Sequence, residues 1–176
     1  MLSAAALYGA AHQQAQEFFI LTTTKQLATQ KKGIKINYII KKKIPIQFVE
    51  NRKTETGYVK VSSPEMTAFD LVYYNNRIGG ISRASTVLNE LAESMQPDKI
   101  KRELVQSFSV PTIQRLGYIL EYALKEEQLA DKLLKVSKDL NLHFFRQPIS
   151  TGKKTAGHKT DPKWRIIINT EIEIDE

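Results

Sequence analysis

Apolar residues change their spacing twice along this chain, which divides it into a strand-rich opening, a helical middle and a strand-rich end. Glu17-Phe18-Phe19-Ile20-Leu21-Thr22 is a short apolar run between polar residues and predicts a buried strand. Ile34–Ile40 alternates apolar and polar residues over its first half, and Gly57–Ser62 alternates again, so both predict strands. Short polar connections join these three, as an antiparallel meander or a sheet-edge unit would require. Pro45 marks a break before Ile46–Glu50. Ahead of the strands, Leu2–Gly9 is alanine-rich and helix-forming, with Gly9 as its stop. That helix opens with no room for an N-cap, so the chain is expected to be truncated at its N-terminus.

From Ser63 the period becomes helical. Ser63 is placed to cap, Pro64 occupies the first helical position and Glu65 complements the dipole of a helix over Pro64–Tyr74. Ile78-Gly79-Gly80-Ile81 breaks it with a turn that only glycine adopts freely. A second helix is expected over about Ser82–Met95, with Ala84, Val87, Leu88, Leu91 and Ala92 on one face. A third starts at Pro97-Asp98, a fourth at Val110-Pro111-Thr112, and a fifth covers about Glu127–Leu140. The end returns to strand at Leu142–Arg146 and at Trp164–Asn169. The acid–isoleucine alternation of Glu171–Glu176 could extend the latter. The expected fold is α+β: a small mixed β-sheet from early and late strands, packed against a central run of about five helices. One domain covers 1–176, with 63–141 as a candidate helical subdomain.

Composition narrows the chemistry. A chain of 176 residues can bury a sizeable core without a staple. It has no cysteine, so disulfides and thiolate metal sites are excluded, and His12, His143 and His158 are too scattered to suggest a zinc site. No cofactor and no metal are expected. No apolar run reaches the length of a membrane span, and Met1–Ala11 lacks the basic flank of a signal peptide, so the chain reads as cytoplasmic. Its formal net charge of +7 attracts polyanions at long range.

Four stretches, in order, resemble the C-terminal domain of the AbiEi family of type IV toxin–antitoxin antitoxins. They are Leu2–Ala10, Val61–Val72 with Ile78–Ile81 after it, Gln114–Glu121, and Trp164–Asn169. The resemblance implies an antitoxin in an abortive-infection, phage-defence system whose partner is a nucleotidyltransferase-like toxin. Family members also carry an N-terminal winged helix that represses their own operon. Nothing ahead of Met1 matches that part, which puts operator recognition in doubt for this chain.

The residues themselves offer one dense feature. Lys25, Lys31, Lys32, Lys35, Lys41, Lys42, Lys43, Arg52, Lys53 and Lys60 stand against only Glu50 and Glu55. They could form a phosphate-contacting stripe, with Tyr38 and Tyr58 available for stacking, or they could guard a sheet edge against aggregation. The sparseness of arginine argues against specific base readout. Lys31, Lys32, Lys35, Lys41, Lys42, Lys43, Arg52 and Lys53 are therefore the candidate contacts for nucleic acid, with DNA the expected polyanion. Arg115 reads as a buried ion-pair partner of Glu121 or Asp70, or as an exposed partner contact. Thr151-Gly152-Lys153-Lys154-Thr155 lacks the earlier glycine and the following helix of a phosphate-binding loop. It reads as a flexible basic loop in which Lys153 and Lys154 are candidate partner contacts. Asp70, among apolar helix neighbours, calls for a partner such as Arg77 or a backbone amide. Gly117 inside a helix predicts close packing against another backbone. No catalytic cluster emerges. A nuclease would need converging carboxylates with a lysine, and Glu171 is followed by Ile172 and Glu173 with no lysine. Two function classes follow: a non-enzymatic antitoxin acting by contact, and, as the alternative, a nucleic-acid-processing enzyme.

Overall fold

The computed structural model describes residues 1–10, 17–31 and 33–174, so His12, Lys32 and the last two residues of the acidic tail lie outside it. Helix α1 (Leu2–Leu7) ends as its sequence demands, with Gly9 at φ 85°. Strands β1 (Glu17–Thr22), β2 (Thr29–Lys31) and β3 (Ile34–Ile40) form one sheet in the order β1-β3-β2. Strands β4 (Val49–Thr54) and β5 (Gly57–Ser62) form a separate antiparallel hairpin.

The expected three-strand meander is therefore corrected. β1 and β3 pair in parallel, Glu17 opposite Lys35 through Thr22 opposite Ile40, and β5 pairs with β4 instead of joining them. Alternating residues fix which face of a strand turns inward, but they leave its neighbour open.

The helical middle follows the sequence closely. Helix α2 (Pro64–Tyr73) is capped by Ser63, whose Oγ accepts the Met66 N–H at 3.2 Å. Every residue from Pro64 to Val72 is buried, so α2 is the helix the others pack around. Glu65 is sealed as well, and its carboxylate accepts the Gln96 N–H at 2.9 Å. Gly79 and Gly80, at φ 103° and 97°, make the sharp turn into α3 (Ile81–Ala92). The expected third helix is a 3-10 turn at Pro97–Lys99 followed by α4 (Arg102–Gln106). Helix α5 (Val110–Tyr118) runs into a π-helical turn at Ile119–Ala123, and α6 (Glu127–Asp139) follows.

The late strands shrink to a two-residue parallel pair, β6 (Gln147–Pro148) with β7 (Ile166–Ile167), in a sheet of their own. Leu142–Arg146 and the described part of the acidic tail form no strand. Early and late strands thus do not share a sheet, although the α+β class holds. One apolar cluster nevertheless runs from Met1 through Ile39, Phe48 and the helices to Trp164 and Ile166.

Trp164 explains that continuity. It is fully buried, and a Cβ built on Gly117 of α5 would fall inside its ring. Its indole Nε1–H donates to Glu121 at 2.7 Å, and its backbone N–H donates to Asp161. Gln114, also on α5, donates to the Phe145 carbonyl at 2.8 Å and the Trp164 carbonyl at 2.6 Å. Gly117 does mark a close approach, but to an aromatic ring and not to a backbone.

Candidate interaction surface

The basic residues of the strand region separate into those the fold uses and those it leaves free. Lys41, directly after β3, turns inward. Its ammonium lies 2.8 Å from the Asp70 carboxylate, which has no exposed surface, and 4.5 Å from the centre of the Phe108 ring. The partner of Asp70 is therefore Lys41, not Arg77. One Asp70 oxygen, Oδ2, has no hydrogen-bond partner. The Met1 ammonium is buried within reach of the same carboxylate, and burial pushes its pKa down against the attraction of Asp70.

Arg52 on β4 is half-buried. It lies over the Tyr8 ring at 4.1 Å and donates to the Leu7 carbonyl at 2.9 Å, which ties the hairpin to α1. Tyr8 in turn donates to Glu50, and burial first, then the Glu50 charge, raises its pKa. Lys35 is exposed and pairs with Glu17 across the β1–β3 ladder at 2.9 Å. That hydrogen bond is the main cause of the lowered Glu17 pKa. Lys42, Lys43 and Lys53 are exposed. Lys31 stands opposite Ile34 at the β2–β3 turn, and Lys32 lies outside the described residues.

What the fold leaves is concentrated. Residues 18–49 hold seven lysines and no acid, while the rest of the chain holds nineteen basic and nineteen acidic residues. The whole net charge of +7 thus comes from the segment that builds the three-stranded sheet and its exits. Tyr58, 75% exposed at the tip of the hairpin, and Tyr38, half-buried on β3, lie on different sheets.

The other candidates lie away from these strands. Arg115 pairs with neither Glu121 nor Asp70. Its Nε donates to the Pro148 carbonyl at 3.0 Å, and burial lowers its pKa. Glu121 is taken by Lys163 at 2.9 Å and by Trp164. Beside it Tyr122 has its pKa pushed up to about 12, by burial first and then by Asp161. Lys153 donates to the Thr170 hydroxyl at 2.6 Å, and Lys154 is exposed on the same loop. Among the described residues no three His, Asp or Glu side chains gather as metal ligands, and no helix is long and apolar enough to cross a membrane.

Sequence reasoning missed a second property of the basic sheet. Strand β1, expected to be buried, is so on one face alone: Phe18 and Ile20 are each 41% exposed while Phe19 and Leu21 pack on the core. The signal was present in the uninterrupted Phe18-Phe19-Ile20-Leu21 run. Such a run requires apolar cover on both faces, and the rest of the chain supplies it on one.

Two comparisons returned nothing, since no curated protein and no solved structure matches the chain. The third returned a match: residues 1–122 fit the family model of the AbiEi antitoxin C-terminal domain.

Proposed function

The chain belongs to the AbiEi antitoxin family, and on that premise we propose that it counteracts a nucleotidyltransferase-like toxin by contact, in a type IV abortive-infection system of the cytoplasm. An antitoxin role and a cognate toxin come with the family, whose members are regulatory and not enzymatic. The observation that supports action by contact is the placing of all the net charge on one acid-free segment. Charge segregated in this way is a device for attracting an oppositely charged surface. Growth of cells that co-express the chain with its neighbouring toxin reads out the role directly.

The same charge supports a second activity, binding of DNA in autoregulation of the operon. Lys42 and Lys43 are the residues to change, because Lys41 is committed to Asp70. Neutralising both is expected to weaken DNA binding uniformly across sequences. It should also reduce the slope of log affinity against log salt by about two, one for each phosphate no longer neutralised. An unchanged slope, measured by fluorescence anisotropy over a salt series, would remove these lysines from any role in holding DNA.

A further inference from the structure

The three-stranded sheet presents an apolar outer face that this chain does not cover. Register places Phe18 beside Ile36 and Ile20 beside Tyr38, with Ile34 and Ile40 at the two ends of β3 on the same side. Ile34 is 40% exposed and Ile40 is 55% exposed, and Ile36 and Tyr38 are half-buried. A half-solvated sheet normally alternates apolar inward with polar outward. Here both phases are apolar: Phe19, Leu21 and Ile39 face the core, while the other six residues face out. A parallel pair such as β1 and β3 is ordinarily buried on both faces.

The chemistry around the face selects its occupant. Lys42 and Lys43 leave the end of β3, and exposed Lys25 lies on the segment leaving β1 at the same end of the sheet. A second copy docked face to face would bring two acid-free, lysine-rich segments together, and like charges would oppose it. Nucleic acid would satisfy the lysines, but four isoleucines give its bases no stacking surface. A protein patch with an apolar centre and a carboxylate rim meets both demands. We infer that the outer face of the β1–β3–β2 sheet is the docking surface for such a patch on the cognate toxin. This inference rests on the antitoxin reading above.

The test is capture of the neighbouring toxin by the tagged full chain, with growth scored in the same cells. Ile20→Ser with Ile40→Ser removes apolar surface that faces outward, and is expected to lower toxin affinity about tenfold or more. Lys42→Glu with Lys43→Glu changes only exposed positions, so it tests the same surface even where the serine variant melts early. It should weaken capture most at low salt. Capture by both variants at wild-type strength overturns the inference. So does a wild-type chain that rescues growth without capturing toxin, a result that leaves the antitoxin reading standing. Loss of DNA binding with toxin capture intact would assign the face to nucleic acid. A wild-type dimer that the serine variant dissociates would assign it to a second copy. Failure of the wild-type chain to rescue growth would instead strike at the functional reading itself.

Discussion

Replacing Lys41 with methionine is expected to cost the fold about 3–5 kcal/mol, because it strands a buried carboxylate. Asp70 has no exposed surface, and Oδ2 already lacks a partner, so Lys41 supplies what satisfaction the carboxylate has on its other oxygen. The nearby Met1 amine is a weak substitute, since burial already disfavours its charged form. For a chain of this size such a loss lowers the unfolding midpoint by on the order of 10 °C. Asp70→Asn should cost less, because the Lys41 side chain is 14% exposed and can turn toward water, whereas Asp70 has no such escape. Changing both, Lys41→Met with Asp70→Leu, should recover most of the loss. Thermal melts of the three variants measure the pattern. Equal, small shifts for all three would mean that the pair contributes nothing to the fold.

Gly117→Ala carries the second large effect, and here the sign is the test. In an unobstructed helix the change would stabilise by about 1 kcal/mol. On α5 the new methyl would overlap the Trp164 ring, which is boxed in by Glu121, Gln114 and Phe144. Overpacking of this kind costs about 1–3 kcal/mol, so the net change should be destabilising. Trp164 is the one tryptophan in the chain, so its emission should shift to the red as the segment around it loosens. A Gly117→Ala protein that melts higher, with unchanged emission, would contradict the packing described here.

These two sites show where the sequence was readable and where it was not. The helices could be placed because a cap such as Ser63, a Pro64 start and the Gly79-Gly80 break act locally, within a turn or two of the residue concerned. Strand existence was readable at β1, β3 and β5 for the same reason. Strand partners were not, because alternation specifies a face and leaves the neighbour open. The run Trp164–Asn169 has the composition of a long strand, yet Trp164 and Ile166 spend their apolar surface on the core and only Ile166–Ile167 pair. Gly117 announced a close approach without naming Trp164, 47 residues further on.

The candidate surface was legible in its charge and illegible in its detail. Lys41, Lys42 and Lys43 are identical in sequence terms. Only the packing of α2 behind β3 turns the first of them toward Asp70 and leaves the other two in water. Likewise the anchors of the segment beyond residue 122 sit inside the family-matched region. Gln114, Arg115, Gly117 and Glu121 hold the carbonyls of Phe145, Pro148 and Trp164 and the ring and indole N–H of Trp164. None of those partners could be assigned from spacing alone.

Co-expression of the chain with the nucleotidyltransferase encoded beside its gene tests the functional account most directly, with growth as the readout. The account predicts that growth resumes with the wild-type chain and with Lys53→Gln, an exposed change on the separate hairpin. Continued arrest in cells that contain the chain soluble and folded would contradict it.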